Sequence, residues 1–278
     1  MKSNIGGSFT ANDASYYVQA EGSGKSLVLL HGFTGSSANW AGHLSPFAER
    51  YRVFAVDILG HGRSDAPADP ARYHMENVAD DIAAILIELK AAPFHLLGYS
   101  MGGRLALFLA VTYPTLVQSL ILESASPGLE TAEERRQRHR QDEQLADWIE
   151  QEGIDAFVQR WQQLPLFASQ QNLPPSVRAN LYRQRRQNTT QGLANSLRGM
   201  GTGAQPSLWS NLPELEMPVL LLAGELDPKF VAIAQQMAAQ IPSARLMVVA
   251  EAGHTVHLER PELFDDVVLS WLDEQSSK

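Results

Sequence analysis

Gly98-Tyr99-Ser100-Met101-Gly102 decides the fold. The stretch joins the apolar run Phe94-His95-Leu96-Leu97 to an apolar-periodic segment at 104–112, so a serine sits at a strand-to-helix corner between two glycines. Such a corner lifts a hydroxyl into a cleft, and side chains at 98 or 102 would collide with the neighbouring strand or helix. Working outward, strand-like segments at 15–20, 26–30, 53–56, 120–122, 219–222 and 246–249 alternate with helical patterns, among them 39–49 and 75–89. Ser26-Leu27-Val28-Leu29-Leu30 is a continuous apolar run, as a strand covered on both faces requires. This alternation implies an α/β chain on a mostly parallel, doubly wound sheet.

Between Ser126 and about Pro213 the alternation stops. Residues 133–152 and 175–187 read as helices, Pro174-Pro175 as a break between helices, and Gly199, Gly201 and Gly203 as a turn-rich return. The expected division is a core of residues 1–125 and 214–278 with a helical cap, 126–213, inserted over the sheet edge where Ser100 points. A length of 278 residues with 44% apolar and 19% charged side chains suits one large globular domain. No stretch resembles a signal peptide, and none approaches the roughly 20 apolar residues that span a bilayer. The expectation is a cytoplasmic monomer or weak oligomer with no membrane partner. The absence of cysteine excludes disulfides and thiol nucleophiles, and the eight histidines show no ligand spacing, so no metal is expected.

A net charge of −9 argues against a nucleic-acid partner. The charge is uneven. From Ala156 to Pro213 there is no Asp or Glu, and Arg160, Arg178, Arg183, Arg185, Arg186 and Arg198 give that segment +6, leaving −15 for the rest. Ten of the seventeen arginines lie between 135 and 198, with no lysine among them. Arginine's planar fork suits carboxylates, so the block suggests a field that attracts an anionic small molecule.

Two further groups follow strand ends. Asp227 lies in Ala223-Gly224-Glu225-Leu226-Asp227, and His254 in Ala250-Glu251-Ala252-Gly253-His254. Groups at the carboxyl ends of parallel strands gather at one sheet edge, so Ser100, Asp227 and His254 converge in the order serine, acid, histidine. His254 would take the Ser100 proton while Asp227 fixes the imidazole tautomer. His31-Gly32-Phe33-Thr34-Gly35 follows the strand ending at Leu30 and can turn the Phe33 amide toward the Met101 amide as an oxyanion hole.

Over nearly its full length the chain resembles the α/β-hydrolase fold family, a likeness completed by Gly60-His61-Gly62-Arg63-Ser64 and by Gly253-His254 with Glu259-Arg260-Pro261. Within that fold, several segments are similar to the menaquinone-pathway (vitamin K2) SHCHC synthases, the MenH family. They are residues 98–104, Ser126-Pro127-Gly128-Leu129 with Glu133-Glu134-Arg135 and Arg138, Trp161 with Pro165 and Phe167, and 197–209. The resemblance implies a lyase eliminating pyruvate from a tricarboxylate, with no cofactor. It also implies that Arg104, Arg138 and Arg185 hold carboxylates and that Tyr99 and Trp161 line the pocket. Two other readings remain open: a serine hydrolase of an anionic ester or a diketone C–C bond, and a non-catalytic ligand sensor on the same fold.

Overall fold

The structure, a computed structural model, describes residues 5–276. Its strands are β1 (Ile5–Ala11), β2 (Ala14–Gly22), β3 (Ser26–Leu30), β4 (Arg52–Val56), β5 (Phe94–Tyr99), β6 (Val117–Glu123), β7 (Val219–Gly224) and β8 (Ala244–Val249). They form one sheet in the order β1-β2-β4-β3-β5-β6-β7-β8. β1 and β2 pair antiparallel, as do β2 and β4, and every later pairing is parallel. The carboxyl ends of β3, β5, β7 and β8 therefore share one edge.

The helices are α1 (Ala41–Ala48), α2 (Met75–Glu88), α3 (Met101–Thr112), α4 (Ala132–Trp161), α5 (Pro175–Arg185), α6 (Thr190–Met200), α7 (Pro228–Ala238), α8 (Val256–Glu259) and α9 (Pro261–Ser276), of which α2, α3 and α7 pack on one face of the sheet and α1, α8 and α9 on the other. In β3, Val28 and Leu30 enter the apolar layer with Val78, Ile82, Leu105 and Leu109 of α2 and α3. Leu27 and Leu29 enter the opposite layer with Leu44, Phe47, Phe264 and Leu272 of α1 and α9. A strand buried on both sides has no polar face, which explains its unbroken apolar run. Among the described residues, no helix is long and apolar enough to cross a membrane.

Between β6 and β7 the chain runs through α4, a 3-10 segment at Pro165–Asn172, α5 and α6. This insertion has its own small core, in which Ala146, Ile149, Phe157 and Val158 of α4 meet Leu193, Ala194 and Leu197 of α6. Phe33, from the loop after β3, packs against that core. The helix expected to end at residue 152 breaks at Gly153 (φ 83°, ψ 172°) and then resumes to Trp161.

Two readings are corrected. Gly199 is inside α6 and not in a turn: a Cβ there would lie 2.4 Å from the Tyr73 carbonyl, so glycine serves close helix packing. The sheet also begins earlier than the alternation suggested, with β1 joined to β2 through Asn12 and Asp13, both at positive φ. The Asn12-Asp13 turn was not read from the sequence, and the two glycines of β1 hid the strand.

Candidate active site

Ser100 lies between β5 and α3 with φ 51° and ψ −108°, a conformation that L residues adopt only under constraint. Its amide donates to the Glu123 carbonyl at 2.8 Å. A Cβ on Gly98 would sit 2.3 Å from the Gly102 carbonyl oxygen, and one on Gly102 would sit 2.4 Å from those of Leu30 and His31. Glycine is therefore the residue both positions accept, as expected from the motif.

The structure brings Ser100, His254 and Asp227 into one hydrogen-bonded line. The Asp227 Oδ2 accepts from His254 Nδ1 at 2.7 Å, and His254 Nε2 lies 3.0 Å from Ser100 Oγ. Asp227 also caps α7 by accepting from the Phe230 amide. Glu259 clamps the backbone around the histidine, accepting from the amides of Gly253 at 2.7 Å and Thr255 at 3.3 Å. The Phe230 ring packs edge-on against the imidazole, 4.6 Å between centroids.

After β3, the Gly35 amide closes a turn onto the Gly32 carbonyl at 2.9 Å, with Thr34 at φ 68°. The turn bond leaves the Phe33 amide outside it. Met101 is the first residue of α3, where amides have no intrahelical acceptor. Buried His31 holds this turn: its Nε2 accepts from the Ile58 amide at 3.0 Å, and its Nδ1 donates to the Gly32 carbonyl at 2.8 Å. Burial pushes His31 down to about 4 and neighbouring His61 down to about 3, so both are neutral near pH 7.

These groups face a cavity of about 460 Å³ whose walls include Ser100, His254, Phe33, Met101, Tyr99, Trp161, Arg104 and Arg138. Arg104 donates to the Met200 carbonyl at 2.8 Å and the Gln205 Oε1 at 3.0 Å, both uncharged. Burial pushes its guanidinium down to about 10. Arg138 reaches the same cavity, but its Nε also pairs with buried Asp142 at 2.8 Å. Trp161 packs on Phe33, Phe157 and Phe167.

Arg185 is elsewhere. It borders a small cavity of about 30 Å³, stacked over Phe167 and donating to Gln170 Oε1 at 3.2 Å. The arginine block is likewise not a single anion-attracting face. Arg198 meets Glu143, Asp147 and Glu150 of α4, Arg186 meets Asp155, and Arg160 covers Trp148. The acid-free window existed only along the chain, because folding lays acidic α4 beside α6.

Lys229 also lines the Ser100 cavity, and sequence reasoning passed over it. The available signal was its place two residues after Asp227, at a strand's carboxyl end. Gln205, fully buried against Arg104, carried no local signal because its partner is a hundred residues away.

Residues 25–261 match the α/β-hydrolase fold family, to which this chain belongs. The chain is 46% identical over 266 residues, 95% of this chain and 97% of the relative, to a Bacillus subtilis (strain 168) protein provisionally named 2-succinyl-6-hydroxy-2,4-cyclohexadiene-1-carboxylate synthase. A Shigella flexneri serotype 5b (strain 8401) protein bearing that synthase name is 35% identical over 84% of this chain and 88% of its own length. Among solved structures, MenH from S. aureus matches with a TM-score of 0.90 at 36% identity, covering 94% of this chain and 98% of that one. A malate-bound thermophilic esterase from Thermogutta terrifontis matches at TM-score 0.82 and 25% identity, over 99% of both chains. Within the fold family, these relatives put the chain with the SHCHC synthases.

Proposed function

We propose that this protein is a lyase of menaquinone biosynthesis, converting 2-succinyl-5-enolpyruvyl-6-hydroxy-3-cyclohexene-1-carboxylate to 2-succinyl-6-hydroxy-2,4-cyclohexadiene-1-carboxylate and pyruvate. One observation carries it: a chain akin to the named synthases over nearly its whole length has a cavity that joins the Ser100–His254–Asp227 line to Arg104, a cation whose contacts are uncharged.

In this reading His254 takes the Ser100 proton and the serine oxygen removes the ring C2 proton, made acidic by the adjacent succinyl carbonyl. Asp227 holds the imidazole tautomer and stabilises the imidazolium. The Phe33 and Met101 amides stabilise charge on that carbonyl. The electron pair from C2–H forms the C2–C3 double bond, the ring double bond shifts to C4–C5, and the C5–O bond breaks. Enolpyruvate leaves and tautomerises to pyruvate. Arg104 and Arg138 hold carboxylates, Lys229 faces the same anion from the α7 side, and Tyr99 and Trp161 line the ring site. The segment 126–213 serves as the cap, the setting is cytoplasmic, and the chemistry needs no cofactor.

The test is to supply freshly prepared enolpyruvyl substrate and follow pyruvate and the ring diene together. Equal amounts of both, formed faster than without protein, support the lyase. The assembled Ser100–His254 contact and the likeness to an esterase favour a second reading, hydrolysis of an anionic ester. An acyl adduct trapped on Ser100 during turnover, without diene formation, would select it.

A further inference from the structure

A chain of buried and half-buried hydrogen bonds runs from the insertion to both sides of the Ser100–His254 contact. Tyr99 immediately precedes Ser100, and Thr255 immediately follows His254. Their hydroxyls meet at 3.0 Å, so one contact ties the serine corner to the histidine loop. The Thr255 oxygen also accepts from Gln170 Nε2 at 2.8 Å. Gln170 comes from the 3-10 segment of the insertion, and its Oε1 accepts from Arg185 Nη2 at 3.2 Å.

The orientation of Gln170 is fixed by chemistry. Arginine cannot accept a hydrogen bond, so Oε1 must face Arg185 and the amide nitrogen must face Thr255. Gln170, Arg185 and Thr255 are 6%, 8% and 1% exposed, so water does not readily replace these partners. Glu259 grips the backbone on either side of His254 from the core, while Gln170 grips the Thr255 side chain from the insertion.

We infer that Gln170 and Thr255 are positioning residues that make the reactivity of Ser100 depend on how the inserted helices are seated. The inference rests on the reading of Ser100 as a reacting group and adds a means of controlling it. Arg185 orients Gln170, Gln170 holds the Thr255 hydroxyl, and Thr255 with Tyr99 holds the serine corner against the histidine loop. Without the relay, Ser100 and His254 keep their backbone positions but lose the register that aligns Oγ with Nε2. Displacements of an ångström at such a contact lower rates by roughly 100-fold.

The experiment is the rate of Ser100 labelling by a small sulfonyl fluoride, which forms a serine–sulfonyl bond and releases fluoride and a proton. It needs neither the proposed substrate nor its chemistry. Wild type, Thr255→Val, Thr255→Ser, Gln170→Leu and the Val/Leu double variant are compared, with Ser100→Ala as blank and melting temperatures measured in parallel. The expected result is labelling slowed roughly 10- to 100-fold in Thr255→Val and Gln170→Leu. Thr255→Ser should label within about threefold of wild type, and the double variant no more slowly than the worse single one. Wild-type rates in Thr255→Val and Gln170→Leu would overturn the relay alone. So would rates that simply track melting temperature, or a serine variant as slow as the valine one. A wild-type Ser100 that labels no faster than the blank would sink the relay together with the reading beneath it.

Discussion

Replacing Arg104 by methionine should separate stability from activity. Burial lowers the guanidinium to about 10, a penalty on the charged form of order 2–3 kcal/mol once its partial access to the cavity is allowed for. Because the folded value lies below the unfolded one, this penalty is fully present at any pH below about 10 and fades as pH rises above it. Methionine removes the penalty but strands two acceptors, the Met200 carbonyl and the Gln205 Oε1, at about 1–3 kcal/mol each. The opposing effects are of similar size, so the melting temperature should move by no more than about 5 °C in either direction. Loss of a charged contact to an anionic substrate costs about 2–5 kcal/mol, or roughly 30- to several-thousand-fold in kcat/KM. Pyruvate-release kinetics and a thermal melt on the same preparation decide the matter. A variant that melts more than about 10 °C lower, or that keeps kcat/KM within about threefold, would refute the assignment of Arg104 to the substrate.

Asp227→Asn should lower kcat by roughly 10²- to 10⁴-fold with little change in melting temperature, because the imidazole loses its tautomer control while the backbone is held by Glu259. Lys229→Gln should raise KM about three- to tenfold and leave kcat within about twofold, an effect that shrinks in high salt; an unchanged KM at low salt would remove Lys229 from the substrate. His31 and His61 should make the fold acid-labile. Both have folded values below the unfolded 6.5, so stability they contribute at neutral pH declines as pH falls from 6.5 toward about 4 for His31 and about 3 for His61. Denaturant midpoints measured across that range should fall, and His61→Gln should flatten the slope by about one proton.

Ser100, Asp227 and His254 were legible because each sits just past an apolar strand, and parallel topology carries such positions to one edge. Phe33 and Met101 were read by the same rule, as positions whose amides would face that edge. The arginines were harder. Arg198 looks unpaired along the chain, and only the packing of α6 on α4 reveals its three carboxylate partners. Arg185 borders the smaller cavity, against Phe167 and bonded to Gln170, contacts that no pattern along the chain announces. The Gln170–Thr255 contact joins residues 85 positions apart. The buried His257–Glu123 pair spans 134. Neither has a local pattern, so no reading of motifs finds them.

The most direct measurement is the initial rate of pyruvate release from the enolpyruvyl substrate by the wild-type chain and by Ser100→Ala, each set against spontaneous decay. A lyase working through Ser100 gives rapid release by wild type and a loss of at least about 100-fold in the alanine variant. Release by wild type no faster than spontaneous decay, or equal release by both chains, would contradict it.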